Sequence, residues 1–168
     1  MGTQGEHNTL EKTFGSVTSS VMNKANCPLI VVPEKAVVRK IKTIAYATDF
    51  TEADPFFIWQ FGKLLRPFNA IMHIVHIEKS PPEKRPLKME DMKEFFKDNP
   101  SGIRVSFNSI AAKSVETELK KFGETWEIDL MVMTKPNRGF FERLFHKSMT
   151  KRMAFNTTVP LLILKAEQ

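Results

Sequence analysis

MGTQGEHNTLEKTFGSVTSSVMNKANCPLIVVP, residues 1–33, decides how the rest of the chain is read. Set against residues 133–165 with a gapless shift of 132, it pairs Met1 with Met133, Ser16 with Ser148, Thr18 with Thr150, Pro28 with Pro160 and Leu29 with Leu161. The same shift lays Ile30-Val31-Val32 over Leu162-Ile163-Leu164. The chain therefore carries one unit and the tail of another. Glycines set the first copy apart: Gly2, Gly5 and, after nine residues, Gly15, followed by Ser16 and Val17. Glycine admits φ > 0 and lets the backbone approach a ligand closely, and a helix N-terminus offers unpaired N–H groups with partial positive charge. A segment of this kind suits phosphate.

Outward from that stretch, the hydrophobic pattern alternates between two periods. A helix is expected over about 15–25, and Pro28 to Val32 reads as a short buried strand, a continuous apolar run bounded by prolines. Residues 34–40 form a charged connector. Ile41 to Ala47 reads as a strand closed by Thr48-Asp49-Phe50-Thr51, with Thr51 as an N-cap and Asp54 three residues on in a shortened capping box. Phe57, Phe61, Leu64, Leu65 and Phe68 then recur at helical spacing. Ala70 to Ile77 is nearly all apolar, as in a parallel strand covered on both faces. His73 and His76 interrupt it, but three residues apart on a strand they point to opposite faces, which is poor geometry for a shared metal and suits packed or capping roles.

A loop rich in proline and charge is expected over 78–88, a short helix over 89–98 with Met92, Phe95 and Phe96 inward, and an alternating strand over 103–107. Val115, Leu119, Phe122 and Trp126 mark another helix, Leu130 to Met133 another strand, and Pro160 to Leu164 the last. From Ile41 onward the order is strand, helix, strand, helix, strand, helix, strand, helix, strand. Such alternation implies a parallel five-stranded sheet with helices on both faces, the α/β class, and ligands in such folds bind at the carboxyl ends of the strands where strand order reverses. Asp49 and the loop after Met133 fall at that end.

The 168 residues suffice for one domain and an appendage but not for two ordinary α/β domains. A hydrophobic content of 42% with 26% charged residues excludes a disordered chain, and no apolar run approaches the roughly 20 residues that span a bilayer. The single cysteine, Cys27, excludes an intrachain disulfide framework and suits a reducing compartment, so a cytoplasmic protein with a buried structural thiol is expected. The net charge of +6 lies beyond residue 33, much of it in 135–152, where Lys135, Arg138, Arg143, Lys147, Lys151 and Arg152 oppose only Glu142. Without an aromatic stacking platform or a nucleic-acid motif, that patch reads as a solvated helix face rather than a nucleic-acid surface.

The spacing G-x2-G-x9-G-S, followed by Val17-Thr18 and later by Cys27-Pro28-Leu29-Ile30-Val31-Val32-Pro33, resembles the nucleotide loop of the universal stress protein family. Residues 41–165 look like one complete domain of that family and residues 1–33 like the closing loop, helix and last strand of another. Together with a linker over 34–40, the chain (complete domain 41–168) resembles the carboxyl-terminal part of a tandem universal stress protein. The resemblance implies a Rossmann-like, adenine nucleotide alpha hydrolase-like fold with an N-terminal loop-helix-strand appendage. In the family the first strand ends in an apolar run, Asp, a hydrophobic residue and Ser or Thr, which is matched by Ala45-Tyr46-Ala47-Thr48-Asp49-Phe50-Thr51. By resemblance Asp49 would bind the ribose or adenine side of a nucleotide, with Ala47 beside it, Ile77 lining the adenine pocket and Met133 near the same base. Gly2, Gly5, Gly15, Ser16 and Val17 would hold the phosphates of ATP, with any Mg²⁺ accompanying the nucleotide.

The complete domain departs from this pattern in its phosphate half. Gapless alignment turns Gly2, Gly5 and Gly15 into Thr134, Asn137 and Lys147 and keeps only Ser148; using Gly139 needs a two-residue shift and leaves Pro136 and Lys147 at glycine positions. Each replacement puts a side chain where backbone should meet phosphate, so ATP binding in the family manner is not expected of this domain, although Arg138, Lys147 and Lys151 offer charge for a smaller anion. The intact motif lacks its own strand-one Asp. A preceding domain in a longer protein or a second copy of this chain would complete it, and the Met-Gly start suggests a shortened chain or a displaced start. The expected function is non-catalytic: a stress-linked nucleotide-fold protein acting through dimer contacts and a protein partner, with strands 28–32 and 160–164 pairing within the chain or between chains. The alternative is a weak ATPase or nucleotidyl transferase, against which stands the lack of G-x4-G-K-[ST], H-x-G-H and G-x-S-x-G motifs and of a metal cluster.

Overall fold

A computed structural model describes residues 21, 24, 25, 27–33, 36, 37, 40–50, 54–78, 88–100, 102–135 and 158–165. Its elements are β1 (Leu29–Val31), β2 (Thr43–Ala47), α1 (Asp54–Leu65) with a 3-10 turn (Arg66–Phe68), β3 (Ile71–Glu78), α2 (Met89–Asp98), β4 (Arg104–Ala111), α3 (Val115–Thr125), β5 (Leu130–Lys135) and β6 (Leu161–Lys165). The strands form one sheet in the order β1-β6-β5-β2-β3-β4. Five of them, β6-β5-β2-β3-β4, are parallel, as the alternation predicts. The sixth, β1, comes from the appendage and runs antiparallel to β6.

Alternation along the strands builds two cores, one on each face. Ala45, Val75, Ile77, Met131, Leu161 and Ile163 pack with Leu119 and Phe122 of α3. Ile44, Tyr46, Met72, Ile74, Val132 and Leu162 pack with Ile58 and Leu65 of α1 and with Met92 and Phe96 of α2. Burying both faces with aliphatic side chains is what makes β2, β3 and β5 read as mostly apolar runs, broken in β3 by its two histidines. His73 and His76 lie on opposite faces, as their spacing requires: His73 packs against Phe122 and Trp126, His76 against Phe50.

Several local readings change. The buried stripe of α1 is Ile58, Gly62 and Leu65 with Phe61 half-buried beside it, whereas Leu64 and Phe68 point outward. The helix stops at Leu65 because the next turn tightens at Pro67 and ends on Asn69 in the left-handed region (φ 50°). Strand β4 runs four residues past Phe107, since it follows β3 rung by rung from Ile71–Arg104 to Glu78–Ala111. Cys27 is exposed, not buried: it sits in a bend two residues before β1, outside the ladder that would have covered it. The proposed N-cap Thr51, the loop over 79–87 and the basic stretch 136–152 lie outside the described residues.

The β1–β6 ladder has an internal symmetry. Leu29 pairs with Ile163, Ile30 with Leu162 and Val31 with Leu161. The repeat shift carries Leu29, Ile30 and Val31 onto Leu161, Leu162 and Ile163. Each strand thus meets its own counterpart about a local two-fold axis through the Ile30–Leu162 rung, the geometry of an isologous contact.

Candidate functional site

The chain crosses the sheet from β2 through β3 to β4 and then returns to the other side of β2 for β5 and β6. Strand order therefore reverses between β2 and β5, and their carboxyl ends flank the crevice where such folds take ligands. Ala47 and Met133 face each other across that boundary on one rung, and Ala47 is also level with Val75 of β3, two residues before Ile77. Ala47, Ile77 and Met133 all pack on the α3-side core near the carboxyl ends of β2, β3 and β5. Asp49, two residues past the end of β2, is exposed. Gly2, Gly5, Gly15, Ser16, Val17, Gly139 and Ser148 lie outside the described residues.

On the opposite face of the same strand ends is a buried polar network. Asp54, 1% exposed in the first turn of α1, accepts from the Tyr46 hydroxyl through Oδ1 at 3.2 Å and from Thr48 Oγ1 through Oδ2 at 2.6 Å. The helix N-terminus favours the carboxylate's negative charge. Tyr46 spends its one hydrogen on Asp54, so in the contact between the Tyr46 and Thr134 hydroxyls it is Thr134 that donates. This joins β5 to β2. Burial, and next the Asp54 charge, push the Tyr46 phenol well above its usual value, which keeps it a neutral donor.

The turn between β2 and α1 is held from three sides. The Thr48 N–H donates to the Val75 carbonyl at 2.9 Å, and His76 Nδ1 lies 2.8 Å from the Thr48 carbonyl. A carbonyl only accepts, so Nδ1 carries the hydrogen. Thr48 Oγ1 accepts from the Phe50 N–H at 2.9 Å while donating to Asp54. Phe50 has φ 62°, a left-handed conformation that costs a bulky residue about 1–3 kcal/mol. Its ring is buried with its centroid 4.3 Å from that of His76.

The sequence pattern singles out Asp49 but not Tyr46, Thr48, Thr134 or the true role of Asp54. The only local signal was polarity inside an apolar strand, Tyr46, and an acid at a helix start. At the other end of the sheet Asp129 accepts from the backbone N–H groups of Lys42 and Thr43 at 2.8 and 3.0 Å. Among the described residues no cluster of His, Cys, Asp and Glu has metal-binding geometry, and no helix is long and apolar enough to cross a membrane.

The sequence matches no protein-family model and no curated protein. Solved structures do resemble it. A universal stress protein from Archaeoglobus fulgidus DSM 4304 superposes with TM-score 0.75 at 16% identity, covering 100% of this chain and 60% of its own. A putative universal stress protein from Pseudomonas aeruginosa UCBPP-PA14 gives TM-score 0.63 at 12% identity, covering 98% of this chain and 62% of its own. A universal stress protein in complex with cAMP gives TM-score 0.59 at 13% identity and is covered over its whole length by 77% of this chain. The chain has the universal stress protein fold, an α/β Rossmann-like sheet, and it spans about three-fifths of the length of the two structures that match nearly all of it.

Proposed function

We propose that this chain is the carboxyl-terminal portion of a tandem universal stress protein that acts without catalysis, through dimer-like contacts and a protein partner, and that its complete domain holds an adenine nucleotide by the nucleoside end. The observation that carries this reading is the symmetric β1–β6 ladder. A strand from the first copy sits where a dimer partner's last strand would sit, and the A. fulgidus structure that matches the whole chain is longer than it. The nucleotide part is supported by the crevice itself, with the apolar Ala47, Ile77 and Met133 near the strand ends and the exposed Asp49 at the reversal of strand order, and by the cAMP complex of a structural relative. Thr134, where the first copy has Gly2, is occupied by Tyr46, which fits a site that does not rely on a glycine loop for phosphate. A nucleoside 5′-monophosphate is then the favoured ligand over ATP.

The test is to denature the purified protein and its Asp49→Ala variant, separate the released small molecules by chromatography, and assay ATP turnover in parallel. Bound adenine nucleotide in the parent, lost in the variant, with turnover at background, supports the reading. Turnover that disappears in Asp49→Ala replaces it with an ATPase.

A further inference from the structure

We propose that Thr48 and His76, with Asp54 behind them, are positioning residues that hold Asp49 in a ligand-accepting direction; the inference rests on the role of Asp49 given above. Asp49 lies beyond the last rung of β2, and the residues on either side of it are both fastened. Every polar atom of Thr48 is engaged: N–H to Val75, carbonyl to His76, hydroxyl to Asp54 and from Phe50. Phe50, on the other side, is held in the left-handed region by the bond from its N–H to Thr48 Oγ1 and by its ring against His76.

These contacts form a closed loop. The Thr48 hydroxyl bridges across Asp49 to the Phe50 N–H, and His76 grips the residues on either side of Asp49, the carbonyl of Thr48 and the ring of Phe50. A left-handed phenylalanine persists only where its surroundings over-determine it, and such sites concentrate where a neighbouring group must be aimed. Asp54, through the buried Tyr46 and Thr134, ties the loop to β5 on the far side of the crevice. Ala47, Met133 and the carboxylate are thereby fixed relative to one another.

Thr48→Val keeps the shape and removes the hydroxyl, Thr48→Ser keeps the hydroxyl, and His76→Phe keeps a ring against Phe50 but removes the donor. On isotope-labelled protein, amide exchange and the HN–Hα coupling of Phe50 report the clamp without any ligand, and calorimetric titration with AMP reports its consequence. Thr48→Val is expected to speed Phe50 amide exchange and to weaken AMP binding, each by about tenfold, the size of one lost hydrogen bond. His76→Phe acts in the same direction, and Thr48→Ser stays near the parent. Unchanged exchange and coupling in Thr48→Val overturn the clamp, and a loosened Phe50 with unchanged AMP affinity overturns its positioning role. If the parent binds no AMP, the nucleotide reading fails separately, and Phe50 exchange still decides whether the clamp exists. Should Thr48→Val not fold, His76→Phe carries the same comparison.

Discussion

At the amino end of the sheet Asp129 joins β5 to β2 by accepting from two backbone N–H groups, and at the carboxyl end Asp54 joins α1 to β2 by accepting from two side-chain hydroxyls. The first arrangement is open to water and half-buried, and the left-handed residue before it, Glu127 (φ 47°), lies in an exposed turn. The second is buried, draws in Tyr46, Thr48, Thr134 and His76, and sits beside a phenylalanine with φ 62°. An aspartate network at each end ties β2 to β5, the second only through Tyr46 and Thr134, so the extra buried polarity of the second is not needed for closure. It falls on the end where ligands bind in this class of fold.

The comparison is broken first by Asp54→Ala. It leaves the Tyr46 and Thr48 hydroxyls buried without their acceptor, and unfolding in urea is expected to show a loss of about 3 kcal/mol. Asp129→Ala exposes two backbone donors that water reaches, and the same measurement is expected to give about 1 kcal/mol. Equal losses from the two variants would make the ends equivalent and remove the contrast.

A smaller effect separates the two histidines of β3. His73 is buried between Phe122 and Trp126, with Nδ1 2.7 Å from Ser106 Oγ, and burial lowers its pKa below 6.5. The folded protein then binds fewer protons than the unfolded chain just below pH 6.5, so stability is full above that value and falls on acidification until the folded-state pKa is passed. Urea midpoints measured across that range should decline in the parent, and His73→Phe should flatten the part of the decline that begins at pH 6.5. A parent midpoint that does not fall would show that His73 is not desolvated in solution.

The parallel sheet, its helices and the opposed faces of His73 and His76 were legible because period-two and 3.6-residue patterns report burial directly. Asp49 was legible as an acid closing an apolar strand. The polar network was not. Tyr46 stands inside the apolar run Ile44-Ala45-Tyr46-Ala47, Asp54 looks like a helix-start residue, and Thr134 is 88 residues from Tyr46, so only folding brings their oxygens together. The left-handed Phe50 carries no glycine or asparagine to announce it. Cys27 failed for a related reason: the strand's first rung is at Leu29, two residues beyond Cys27, which leaves the thiol exposed.

The rung on the local two-fold axis joins unlike surroundings: Leu162 is 7% exposed and packed in the α1–α2 core, while Ile30 is 48% exposed. In a homodimer built on this ladder, one codon would write both residues of that rung, and any change would strike the interface twice. Here two codons write them. Leu162 is bound to serve its core, and Ile30 can differ from it without a mirror-image change following, so covalent linkage of the halves turns a symmetric seam into one whose two sides can be tuned separately.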